Sequence, residues 1–143
     1  MKKIILTATL FIALCTAAIA GGNNKQLIND LGNALKSSRQ VQWSSNETHN
    51  RAAFGFNGQT VVAYYDREDE QLVGYSIHLT AADLPKKSQD AIEKKYAGWQ
   101  ITETIMFIDK DGYSSHFVKV TKDKKDLALK VNDDKVYIYR RMF

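Results

Sequence analysis

The chain has 143 residues, with 20 lysines and arginines against 16 acidic side chains and a single cysteine, Cys15. That charge balance excludes the basic stripe expected of a nucleic-acid binder. One cysteine excludes a disulfide framework.

Met1-Lys2-Lys3 is a positive start, and Ile4 to Leu14 is apolar apart from Thr7 and Thr9. Ala18-Ile19-Ala20 then offers a small-x-small cleavage site before the polar Gly21-Gly22-Asn23-Asn24. The three parts of a secretory signal stand in order, and the apolar run is short of the roughly 20 residues of a membrane span. Residues 1–20 are expected to be a signal peptide cleaved after Ala20, giving a periplasmic or secreted protein. Lipidation of Cys15 is disfavoured because Leu14 before it is not small. The remaining 123 residues, 21–143, then lack cysteine and carry 18 basic against 16 acidic groups. They make one domain, folding on its hydrophobic core alone. Residues 21–80 carry five basic and six acidic groups, and residues 81–143 carry thirteen and ten.

In chain order, Lys25 to Lys36 reads as a helix, with Leu27, Ile28, Leu31, Ala34 and Leu35 on one stripe. Trp43 to Thr48 is a short first strand. The apolar period is two over Arg51 to Phe56, and Asn57-Gly58 is a hairpin signal, since both residues tolerate positive φ. Thr60 to Tyr65 and Leu72 to Leu79 follow as strands, separated by the polar turn 66–70. Pro85, the only proline, suits the start of a second helix. Leu84, Ser88, Ala91, Ile92 and Tyr96 share its apolar face, and Gly98 stops it. Four more strands are expected: Gln100 to Ile108, Tyr113 to Thr121, Leu127 to Val131 and Val136 to Arg140.

Each half thus reads as a helix, a tryptophan and four β segments. Leu27, Leu31, Ala34 and Leu35 align with Leu84, Ser88, Ala91 and Ile92; Trp43 aligns with Trp99, and Tyr75 falls opposite Tyr139. The expected fold is α+β: a tandem repeat of a helix followed by a four-stranded antiparallel sheet, with the helices packed on one sheet face. The two α-β-β-β-β repeats span about 24–80 and 81–143. Two sheets, or one long one, satisfy this pattern. Trp43 and Trp99, each just after a helix, are expected in the core.

The residues expected to bind a partner are Tyr75, Tyr137, Tyr139 and Arg141. On the last strand Val136 and Ile138 point one way and Tyr137, Tyr139 and Arg141 the other, and an aromatic outer face suits protein recognition.

Leu84-Pro85, Ala91-Ile92, Lys95-Tyr96 and Gly98-Trp99, then alternating strands with an Asp-Gly turn, resemble the PepSY-like, β-lactamase-inhibitor-like (BLIP-like) family of exported bacterial proteins. Trp43, Phe56-Asn57-Gly58 and Ala63-Tyr64-Tyr65-Asp66 resemble it more loosely. The resemblance implies tandem α/β repeats with a sheet surface for a protein partner. The inhibitors of the wider fold use disulfides, and this chain has no cysteine after Ala20, so β-lactamase inhibition is not carried over.

No catalytic pattern stands out. His49, His78 and His116 lack ligand spacing for a metal. Asp109-Lys110-Asp111-Gly112 opens like a calcium loop but lacks the closing glutamate, and reads as a hairpin turn. Lys122, Lys124 and Lys125 beside Asp123 and Asp126 read as a solvated turn rather than an anion site. No serine elbow, zinc-binding helix or phosphate loop is present. The expectation is an exported non-catalytic protein-binding module, an inhibitor or regulator of an exported enzyme, without cofactor or metal. Its partner is another exported protein, not nucleic acid, with membrane contact only through export and the oligomeric state left open. The alternatives are a carrier of a small apolar or peptide ligand, or a structural envelope protein.

Overall fold

A computed structural model describes residues 24–142, with side chains to Tyr139. The signal segment, its cleavage site and Cys15 lie outside the described residues.

Helix α1 spans Lys25–Ser37. Strands β1 (Gln42–Ser45), β2 (His49–Phe56), β3 (Gln59–Asp66) and β4 (Leu72–Leu79) follow. A single 3₁₀ turn, Ala81–Asp83, leads into helix α2, Lys86–Lys95. Strands β5 (Gln100–Asp109), β6 (Ser114–Lys122), β7 (Lys125–Asn132) and β8 (Lys135–Met142) complete the chain.

All eight strands form one antiparallel sheet in the order β1-β2-β3-β4-β5-β6-β7-β8. This overturns the expected tandem repeat of a helix on its own four-stranded sheet. β4 and β5 pair continuously, Gly74–Leu79 against Thr104–Asp109, so no boundary divides the sheet. The physical reason is the open edge of β4. An unpaired edge leaves a row of backbone donors and acceptors, and β5 satisfies them directly. The two helices are short, 13 and 10 residues, and the long sheet is the dominant element.

One face of this sheet carries the core. The α1 stripe buries Leu31 fully, with Leu27, Ile28, Ala34 and Leu35 around it, on Ala52, Phe54, Val61, Ala63, Tyr75, Ile77, Met106 and Ile108. Under α2, Ile92, Leu84 and Tyr96 pack on Val118, Val120, Leu129, Val131 and Val136. Ser88 is fully buried here, and its hydroxyl donates to the Asp133 carbonyl at 2.7 Å, pinning α2 to the β7–β8 turn. The main-chain N–H of Asn24 donates to the Gly112 carbonyl at 3.1 Å and ties the start of α1 to the β5–β6 turn.

Trp43 and Trp99 differ. Trp99 packs partly buried against the α2 core, edge-on to Tyr96 at 5.9 Å. Trp43 is 64% exposed, contrary to its expected core role. It sits on β1, a four-residue edge strand, and rests against Tyr65 at 6.1 Å between centroids.

Candidate protein-binding face

Strand residues alternate between faces, so the face without helices can be read from the register. One row runs Val62, Ser76, Phe107, Ser115. A second runs His78, Ile105, Phe117, Lys130, Tyr137. A bulge between Ala128 and Leu129 makes Tyr139 the extra residue of β8. Its ring lies against Phe117, 4.9 Å between centroids at 69°, which puts it on this same face.

The result is an aromatic band. Tyr64 meets Phe107 at 6.1 Å and His49 at 6.2 Å, and its hydroxyl lies 3.2 Å from that of Ser76. Lys130 Nζ sits 6.0 Å from the Phe117 ring centre, within cation–π reach. Tyr137 and Tyr139 are 54% and 65% exposed. Rings held against one another yet open to solvent present contact area at little ordering cost. Charged residues, Arg51, Glu103, Lys119, Asp126 and Lys130, share this face with the rings. His78 and Glu103 approach to 4.0 Å, and Lys119 pairs with Asp126 at 3.2 Å.

Of the expected contact residues, Tyr137 and Tyr139 therefore stand together on the open face. Tyr75 does not join them. It belongs to the opposite, helix-covered face, is 3% exposed, and packs edge-on to Phe54 at 6.5 Å beneath α1. That burial pushes its phenol pKa up. Tyr75 and Tyr139 match by position in the sequence but lie on opposite faces: Tyr75 pairs with the core residues Ala63 and Ile108, whereas alternation along β8 sets Tyr139 with Tyr137, and the bulge shifts parity only from Arg140 onward. Arg141 lies in β8 with Leu127 as its register partner, and its side chain is outside the described residues.

Sequence reasoning missed Tyr64, Phe107, Phe117 and Lys130. The signal was available in β5: Ile105-Met106-Phe107-Ile108 is apolar at every position, so both faces of that strand must carry apolar groups.

The histidines lie on three different strands. His49 contacts Thr48 Oγ1 through Nδ1 at 2.8 Å, His78 faces Glu103, and His116 is buried on the helix side. No cluster of three metal-ligating side chains occurs among the described residues, and no helix among them is long and apolar enough to cross a membrane.

No protein-family model and no curated protein sequence matches this chain. Solved structures do share its fold. A DUF2874 family protein from Bacteroides uniformis superposes with a TM-score of 0.66 at 18% identity, covering 81% of this chain and 86% of that one. A BLIP-like protein from Bacteroides fragilis gives 0.62 at 15% identity, over 82% and 84%. A protein provisionally described as periplasmic, from Bacteroides eggerthii, gives 0.65 at 13% identity, over 85% and 87%. The fold is thus one that a BLIP-like protein also adopts.

Proposed function

We propose that this protein is an exported, non-catalytic protein-binding module of the PepSY-like and BLIP-like kind, acting as an inhibitor or regulator of an exported enzyme. The observation that carries this reading is the aromatic band on the helix-free face. Tyr139 packs edge-on against the partly buried Phe117, and Tyr137 and Tyr139 are both more than half exposed, where a sheet facing only water would carry polar side chains. The signal-like residues 1–20 and the periplasmic description of one structural neighbour support export. The BLIP-like description of another supports a protein partner over a small substrate. The carrier alternative has less support, because the space beneath α1 is filled by Leu31, Val61, Tyr75 and Ile108.

The test is a double variant, Tyr137→Ser with Tyr139→Ser, used as bait beside the unaltered protein in an extract of exported host proteins. Both rings are more than half exposed, so stability is expected to change by less than about 1 kcal/mol. A stoichiometric partner retained by the unaltered protein and lost by the variant is the expected result. A partner retained equally by both would overturn the aromatic face as the contact surface.

A further inference from the structure

We infer that the outer edge of β8, with the groove beside α2, binds an extended, acidic-ended segment of a protein partner by strand addition. The inference rests on the reading of the protein as a binding module. It uses the edge of the sheet, though, and not its aromatic face.

The two edges of the sheet are unlike. β1 has four residues, and β8 has eight, Lys135 to Met142, without proline or glycine. Tyr137, Ile138 and Tyr139 are all about half exposed or more. The unpaired main chain of such an edge is a template for another strand, and the charges that blunt it, Lys135, Arg140 and Arg141, stand toward its two ends and leave Val136 to Tyr139 between them. The side facing away from β7 is marked by one contact: Lys95 Nζ donates to the Val136 carbonyl at 2.9 Å. In an antiparallel ladder the main-chain groups of alternate residues point the same way. Ile138, two residues on, therefore turns its N–H and carbonyl outward as well.

Beside this edge runs a groove of about 1010 Å³. Ala91 and Val136 give it an apolar floor, and Lys87, Lys94 and Lys95 line it. Its Asp90 is engaged by Lys86 at 2.7 Å, and Asp133 and Asp134 stand only at the turn end. A strand edge flanked by a helix is the arrangement in which an added peptide makes main-chain bonds to the strand and lays alternate side chains in the groove.

Charge selects the occupant. β8 contains Lys135, Arg140 and Arg141 and no acidic residue. A second copy added antiparallel would set Lys135 near Arg140 and Arg141 of its mate, and like charges across a strand pair are unfavourable. A segment with acidic residues where it passes Lys94 and Lys95, beside Val136, meets complementary charge instead.

The experiment is an NMR titration of the ¹⁵N-labelled protein. The probe is a synthetic peptide of 8 residues, the length of β8, with a valine–threonine core and glutamates at one end. A control peptide carries lysines in their place. Saturable shifts in Val136 to Tyr139 and Ala91 to Lys95 are expected, at least roughly tenfold weaker for the control and weakened by salt. Lys94→Glu, on an exposed side chain, should reduce affinity by a similar factor. Ile138→Pro should abolish binding, since proline is tolerated on an edge but supplies no donor. Equal binding of both peptides would overturn the charge argument. Shifts confined to Phe117, Tyr64 and their neighbours would overturn the edge site and leave the face reading standing. Concentration-dependent shifts of β8 without peptide would replace the proposed partner with a second copy.

Discussion

Met106 and His116 face each other across β5 and β6 on the helix-covered side of the sheet. They join the two cores into one row: Phe54, Val61, Ile77, Met106, His116, Val131 and Val136 stand in register from β2 to β8. His116 is the one polar member of this row. It is 6% exposed, and its Nε2 has no hydrogen-bond partner among the described residues. The neighbouring strand position adds Thr104, also buried with an unpartnered hydroxyl. The junction between the two cores is thus the least satisfied part of the interior.

That placement predicts acid sensitivity. Burial disfavours the imidazolium and holds the His116 pKa below its ordinary value. The unfolded chain takes up a proton near pH 6.5, and the folded chain only at lower pH. The folded state binds fewer protons in that window, so stability is full above about pH 6.5 and falls as pH drops through the folded pKa. Asp126, held below the usual carboxylate range by the Thr121 hydroxyl and by Lys119, contributes stability present above about pH 3.9 and leaves this window untouched. Urea unfolding at pH 7.5 and pH 5.5 is expected to show a lower midpoint at pH 5.5. The variant His116→Leu should remove that part of the difference and gain about 1 kcal/mol at neutral pH by deleting an unsatisfied group. An unchanged pH dependence in the variant would assign the acid sensitivity to other groups.

Gly74 and Gly55 should respond in opposite ways to a methyl group. Gly74 is paired with Tyr64 and Asp109 in the middle of the sheet. A Cβ there would collide with the Ile108 carbonyl oxygen and lie 2.7 Å from Phe107 Cζ. Gly55 has nothing within 4 Å of the same atom. Gly74→Ala is expected to destabilise by about 2–4 kcal/mol, as an overpacked strand does, and Gly55→Ala by less than about 0.5 kcal/mol. Thermal unfolding of the two variants side by side checks this. Because Phe107 belongs to the aromatic band, Gly74→Ala should also perturb that face.

The elements were legible because their signals are local. The α1 stripe of Leu27, Ile28, Leu31, Ala34 and Leu35, the break at Pro85 and the turn at Asn57-Gly58 each depend on neighbours a few residues away. What went astray depends on distant pairing. Whether β4 closes one sheet or borders β5 cannot be read from alternation, since both arrangements bury the same residues. Trp43 reads as core until its strand proves to be an edge. Tyr75 and Tyr139 occupy matching positions in the sequence, but the cross-strand register, which sets Tyr75 against Ala63 and Ile138 against Leu129, puts them on opposite faces, and the bulge near Leu129 changes the parity of β8 only from Arg140 on. The aromatic face is half legible for the same reason: Tyr137 and Tyr139 lie on one short strand, whereas Phe117, Phe107 and Tyr64 reach them only across the sheet.

The contact between Ser88 and Asp133 predicts the cost of loosening α2. The serine is fully buried and its hydroxyl donates to the Asp133 carbonyl at 2.7 Å. Ser88→Ala removes the donor and leaves that carbonyl without this partner, a loss of about 1–2 kcal/mol. Ser88→Val adds a methyl group in a closed site and should cost more. Hydrogen exchange is the sharper readout. Amides of α2 should lose protection in Ser88→Ala while those of α1 keep theirs, because the two helices rest on separate clusters.

The β6–β7 turn offers a stabilising change. Asp123 and Lys124 have φ of 49° and 63°, between the paired Lys122 and Lys125. The β2–β3 turn does the same with Asn57 and Gly58, at 49° and 75°. Both central residues of such a two-residue hairpin need positive φ, which favours glycine at the second position. Lys124 carries a Cβ in that region and incurs steric cost that glycine would not. Lys124→Gly makes an Asp-Gly turn and should stabilise by about 0.5–1 kcal/mol, after the entropy cost of glycine in the unfolded chain. Lys125→Gly, one residue later in extended β7, should destabilise by a similar amount, since the same entropy is lost with no strain relieved. The urea midpoints of the two variants should move in opposite directions. Movement in the same direction would mean that removal of a lysine charge beside Lys122, not backbone strain, governs this turn.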